Sequence, residues 1–208
     1  RWHGTLENTR KSTAKTHAAI ERLCKEGIKP SLIVTLHRQN ATSDKLTRMH
    51  EWFRHLSKIG ITSCRLHILE VDHDDVRRKY ALSEAENIDA LLSFAHLNEE
   101  LPHLQIDLFN DMQNLLQGKD NYATCVWTAC DPYTTRAVRG VEGNGQSSNC
   151  GRTNKDGIDF TKANGEGFER YLALYNTPHE YGGCKGCRFF LMCKGQCPGT
   201  SIDGDWRN

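Results

Sequence analysis

The chain has 208 residues, 38% of them hydrophobic and 25% charged, with a formal net charge of +1. That balance gives no electrostatic reason for a nucleic-acid or anionic-membrane partner, and no apolar run approaches the roughly 18 residues of a membrane span. No signal-peptide pattern opens the sequence, so its nine cysteines are read in a reducing, cytoplasmic setting, where clustered thiols more often hold metal or do catalysis than form disulfides. Under that reading the Asn40-Ala41-Thr42 sequon is a chance match.

Residues 1–75 alternate helix and strand. A first helix is expected over 13–26, with His17, Ile20, Leu23 and Cys24 on one face and Gly27 ending it. Residues 31–37 (SLIVTLH) are rich in β-branched side chains and read as a strand. Ser43 is placed to cap the next helix, where Leu46, Met49, Phe53 and Leu56 form a stripe up to Gly60. Residues 63–71 (SCRLHILEV) read as the next strand. Strand, long helix and strand predict a right-handed parallel crossover. In the second strand Arg65 and His67 share one face, and Cys64, Leu66 and Ile68 the other. In the first, Ser31, Thr35 and His37 oppose Leu32, Val34 and Leu36. A parallel strand covered on both faces is apolar throughout. One polar face therefore predicts a barrel whose interior holds a ligand. Two such units leave sheet edges open, which predicts further units before Arg1, and both ends of the chain read as cut.

Residues 76–119 read as a helical bridge. Ser83 and Glu86 match a capping box, Ile88, Leu91, Leu92 and Ala95 make a stripe, and Pro102 interrupts. A second stripe, Leu104, Leu108, Met112 and Leu115, runs to Gly118. Residues 120–208 are rich in glycine and cysteine, with one helix expected near 167–175. So little periodic apolar sequence calls for something besides a core, and metal ligation supplies it.

Four cysteines, Cys184, Cys187, Cys193 and Cys197, read C-x2-C-x5-C-x3-C. Cys125, Cys130 and Cys150 precede them, and Gly145 stands five residues before Cys150. Short loops let several thiolates converge on a soft metal centre. Iron–sulfur ligation is the first reading, a structural zinc site the second because four-cysteine zinc sites also use CxxC, and disulfides the last. Cys24 and Cys64 read as small buried hydrophobes. Gly140-x2-Gly143-x-Gly145 has no strand-to-helix setting and is rejected as a phosphate loop. Asp72, Asp74 and Asp75 with His73 read as a hydrophilic turn.

Cys130-x14-Gly145-x4-Cys150 followed by C-x2-C-x5-C-x3-C resembles the SPASM domain of radical S-adenosylmethionine (SAM) enzymes, over residues 120–208. Residues 1–75 are similar to the later βα units of the radical SAM partial TIM-like barrel. The fold class expected is thus α/β: the C-terminal part of such a barrel, a helical bridge over 76–119, and a loop-rich, cysteine-ligated domain. The resemblance implies two auxiliary [4Fe–4S] clusters. The first would be held by Cys125, Cys130, Cys150 and Cys197, the second by Cys184, Cys187 and Cys193 with a fourth family cysteine that this sequence lacks. It implies a parent enzyme that generates a 5′-deoxyadenosyl radical from SAM and modifies a ribosomally made peptide or protein. Its reductant would be a flavodoxin or ferredoxin. The catalytic motif CxxxCxxC is absent here, so this chain alone is expected to be inactive on SAM. Arg10, Thr35 and Asn40 are the residues the resemblance suggests near SAM, and His67 and Glu70 lie where barrel enzymes place active-site groups. Two readings of another class stand beside it: an iron–sulfur electron-transfer or peptide-binding module, and a zinc-stabilised interaction domain.

Overall fold

A computed structural model describes residues 3–71, 73–130, 140–141, 143–148, 150–151 and 169–200. Asp72 of the acidic turn, the expected helix start at Gly167 and the terminal residues 205–208 lie outside the described residues. The chain is mixed α/β, with seven α-helices among the described residues and a small parallel sheet. It divides into two compact units, Arg1–Asn110 and Asp111–Asn208.

The first unit begins with α1 (Leu6–Lys25), which starts well before the expected residue 13. Thr5 caps it by accepting from the Asn8 amide, and Thr9, Thr13 and Thr16 each donate their hydroxyl to the carbonyl four residues back. Those bonds satisfy hydroxyls that otherwise compete with helix. Arg10, ahead of the expected helix start, therefore lies inside α1. β1 (Leu32–Leu36), α2 (Ser43–Ile59) and β2 (Ser63–Ile68) follow, and the left-handed Gly60 closes α2. β1 and β2 are parallel, pairing Val34 with Leu66 and Thr35 with His67. α3 (Asp74–Tyr80) and α4 (Glu84–Glu100) lead to β3 (Gln105–Ile106), which adds parallel to β2 and places Ile106 beside Cys64. Two residues carry no periodicity, so β3 leaves no signal in the sequence.

The core lies on one face of this sheet. Val34, Leu36, Cys64 and Leu66 pack with Phe53 and Leu56 of α2 and with Ala90, Phe94 and Leu97 of α4. The Phe53 and Phe94 rings meet edge to face with centroids 5.0 Å apart. The capping box forms as expected: the Ser83 amide donates to Glu86 Oε2 at 2.6 Å and the Glu86 amide to Ser83 Oγ at 3.2 Å. The buried stripe of α4 differs from the expected one, because Ile88 and Leu92 are exposed. α4 carries two overlapping apolar stripes, and packing of Phe94 on Phe53 selects one. On the opposite sheet face Ile33 is 69% exposed, Arg65 is exposed, and Thr35 and His67 are half-buried. Ile68, expected with the apolar face, is also exposed, since it ends β2.

α5 (Asp107–Leu116) leads into the second unit, which holds α6 (Glu169–Asn176), the single turn α7 (Phe190–Cys193), and an antiparallel pair of β4 (Gly140–Val141) and β5 (Ser147–Ser148). Among the described residues of this unit, only Leu115, Trp127, Leu174 and Phe190 are buried large apolar side chains. No helix among the described residues is long and apolar enough to cross a membrane.

Candidate metal centre

All seven clustered cysteines fall in the second unit. The first of them is fixed by a buried acid. Asp111, 5% exposed, accepts from the Thr124 amide (3.2 Å), the Thr124 hydroxyl (2.7 Å) and Trp127 Nε1 (3.1 Å). Three donors offset the desolvation of its carboxylate. They also pin the 3-10 turn Cys125–Trp127, on which Cys125 is exposed.

α6 positions the C-terminal run. The Cys184 amide donates to the Leu174 carbonyl at 2.7 Å and the Lys185 amide to that of Thr177 at 3.0 Å, so the helix end is capped by the first thiol segment. Gly183 makes this approach possible: a Cβ there would stand 2.0 Å from the Thr177 oxygen. The chain then turns through Cys187, whose amide donates to the Cys184 carbonyl at 3.0 Å, and reaches Cys193 at the end of α7. Burial pushes the Cys184 thiol above its ordinary value, and the neighbouring Cys193 and Cys187 push it further, with Arg170 opposing. Three thiols thus share one local field. Binding a metal at Cys184 must expel a proton that its surroundings favour keeping.

Arg170 of α6, 3% exposed, donates from Nη2 to the Gly195 carbonyl at 2.6 Å and from Nη1 to the carbonyls of Gln196 (3.2 Å) and Cys130 (3.4 Å). One guanidinium therefore joins the Cys130 segment to the residues just before Cys197. Gly195, at φ +74°, cannot be replaced quietly, since a Cβ would come 2.3 Å from Leu174 Cδ1. Among the described residues, the non-glycine positions with positive φ are Ala129 (55°), Lys194 (53°) and Gln196 (50°). Each adjoins a cysteine: Cys130, Cys193 or Cys197. Left-handed backbone costs about 1–2 kcal/mol per such residue, and strain of this kind collects at functional sites. The Lys194 ammonium, largely buried, reaches Asp120 Oδ1 at 3.2 Å and ties the same loop to the 3-10 turn Asp120–Tyr122.

Cys130, Cys150, Cys187 and Cys197 are half-buried. Among the described residues no three His, Cys, Asp or Glu side chains converge to hold one metal ion.

The other predicted residues stand in the first unit. Arg10 is exposed on α1. Thr35 and Asn40 are brought together: Asn40 Nδ2 donates to the Thr35 carbonyl at 2.9 Å while its Oδ1 accepts from the His37 amide at 2.8 Å. Both ends of the Asn40 amide are engaged in closing the turn after β1, which is a structural task. His67 lies on the open sheet face opposite Thr35, and Glu70 is exposed just beyond β2. Arg170 and Asp111 were not singled out in the sequence. The available signal was a charged residue interrupting the apolar face of each helix: Asp111 beside Leu108, Met112 and Leu115, and Arg170 one turn from Leu174. No family model, no curated protein and no solved structure matches this chain.

Proposed function

We propose that the chain is part of a radical SAM enzyme with a SPASM domain, acting on a ribosomally made peptide or protein in the reducing cytoplasm. In this reading the first unit is the later portion of the partial barrel, and the sheet face carrying Thr35, Arg65 and His67 is the barrel interior. The observation that carries the reading is that one guanidinium, Arg170, fastens the Cys130 segment to the backbone just before Cys197, while Cys193, Cys187 and Arg170 all act on Cys184. The resemblance assigns the crossed ligand set, with Cys184, Cys187 and Cys193 at one cluster and Cys125, Cys130, Cys150 and Cys197 at the other.

Bound [4Fe–4S] clusters would supply one-electron chemistry at potentials set by their surroundings. The chain's own residues would do the rest. Arg170 would hold the Cys130 and Cys197 segments in register and add positive charge beside the thiolates. Asp111 would fix the Cys125 turn, and Lys194 with Asp120 would brace the loop between the two sites. SAM chemistry itself would belong to a CxxxCxxC cluster carried by the parent protein, since this sequence contains no such motif. The test is anaerobic purification followed by iron and acid-labile sulfide analysis and visible absorption. Brown protein with roughly equal iron and sulfide is expected. Colourless protein with zinc and no sulfide would replace this reading by a zinc-stabilised interaction domain.

A further inference from the structure

The second unit contains a cavity of about 460 Å³ whose lining combines apolar surface with one charge of each sign. The half-buried Ala123, Ala129 and Tyr171 give the apolar surface, and Asp120 and Lys194 supply the charges. The segments around it are each fastened. The Tyr171 ring centroid lies 4.7 Å from that of the buried Phe190. The Ala123 amide donates to the Asp120 carbonyl at 3.1 Å, and the next residue, Thr124, is fixed by Asp111. The Lys194 amide donates to the Phe190 carbonyl at 2.7 Å. Ala129 and Lys194 are also two of the three left-handed non-glycine residues among those described, and backbone strain of this kind is kept where a site uses it.

The charges select the class of ligand. The Lys194 side chain is 15% exposed, and its Nζ reaches Oδ1 of Asp120, 53% exposed, at 3.2 Å. An ammonium has three donors and a carboxylate two acceptor oxygens, so one contact leaves each charge able to bind again. A simple anion here meets Asp120, and a simple cation meets Lys194. A ligand carrying both charges close together satisfies both and closes a ring of alternating sign. We propose that this cavity binds a free α-amino acid with an apolar side chain. Its carboxylate would sit on Lys194 and its ammonium on Asp120. Its side chain would lie against Tyr171, with Ala123 and Ala129 small enough to leave room. A residue inside a peptide chain carries neither charge at its Cα, so the ligand is a free amino acid and not a peptide segment. The inference uses no metal at the cysteines.

The test is titration calorimetry on the full chain, purified anaerobically, with L-phenylalanine and L-leucine as probes. Phenethylamine, which lacks the carboxylate, and hydrocinnamate, which lacks the ammonium, are the comparison ligands. Loss of either charge should weaken binding about tenfold, the order expected for a hydrogen bond between charged groups. Asp120→Asn, at an exposed position, should weaken phenylalanine by about the same factor. It should leave hydrocinnamate bound as well or better, because the repelling carboxylate is gone. Lys194→Met should instead weaken phenylalanine and hydrocinnamate and spare phenethylamine. A folding defect moves every ligand together, so the crossed pattern separates binding from structure. If Lys194→Met fails to fold, Asp120→Asn decides alone. Saturable binding of the amino acids with this pattern supports the site. No saturable binding at millimolar ligand overturns it, as does binding of both analogues as tightly as phenylalanine, or an Asp120→Asn variant that treats all three ligands alike.

Discussion

Arg170→Met is the most informative single substitution. Methionine keeps the apolar stem and most of the volume but removes the donors to Gly195, Gln196 and Cys130. Hydrogen bonds to a charged group contribute about 1.5–3 kcal/mol each. The contacts at 2.6 and 3.2 Å deserve that range, and the one at 3.4 Å is near the geometric limit. The gross loss is then about 4–5 kcal/mol, reduced to about 3 kcal/mol because loop carbonyls regain water on local rearrangement. Lysine should not rescue it, since a single ammonium cannot span carbonyls in two segments as a planar fork does. Hydrogen exchange gives the direct assay. The amides of Lys194 and Gln196 donate to the carbonyls of Phe190 (2.7 Å) and Cys193 (3.0 Å), so they report opening of this loop. About 3 kcal/mol corresponds to roughly 100-fold faster exchange. Unchanged exchange at both amides, with urea stability also unchanged, would refute the view that Arg170 holds the two cysteine segments together.

Gly183→Ala should disrupt the seating of Cys184 on the end of α6, because the added methyl meets the Thr177 carbonyl; thermal unfolding of the second unit should fall by more than a typical surface change of about 0.5 kcal/mol. Burial first, then the Asp107 carboxylate, push the Cys64 thiol from 9.0 up to about 12. The folded state therefore keeps a proton that the unfolded chain gives up, and this stability is complete below pH 9 and lost between pH 9 and about 12. The urea midpoint should drop in that window, and Cys64→Val should flatten the drop. On the acid side, burial and then Arg54 lower the His50 pKa from 6.5, with Glu100 opposing. Its contribution is present above pH 6.5 and is lost as pH falls through the depressed value, which a urea series from pH 7 to pH 5 reads out. If the proposed clusters are present, Cys193→Ala should abolish the one assigned to Cys184 and Cys187, whereas Cys197→Ala should damage the one assigned to Cys130; electron paramagnetic resonance showing both variants lose the same signal would disprove the crossed assignment.

Much of the first unit is legible in the sequence because its signals are local. Alternation in β1 and β2 gives the buried face of Val34, Leu36, Cys64 and Leu66, and the Ser83–Glu86 pair announces the start of α4. The early start of α1 is hidden because Thr9, ahead of the expected residue 13, looks like a helix breaker until its hydroxyl bonds back to the Thr5 carbonyl. The burial of Phe94 in place of Ile88 and Leu92 is likewise hidden. Both faces of α4 are apolar enough to pack, and only the position of Phe53 chooses between them.

In the second unit the sequence by itself names the candidate donors, because a thiol pattern such as C-x2-C-x5-C-x3-C is a statement about donor type and short-loop reach. Only the tertiary structure shows which buried polar residues fasten the cysteine segments: Arg170 and Asp111, whose partners lie up to 40 and 16 positions away. Hydrogen bonds at such separations leave no periodicity and no spacing rule, so they become visible only once the chain has closed on itself and each buried polar group has had to find its partner.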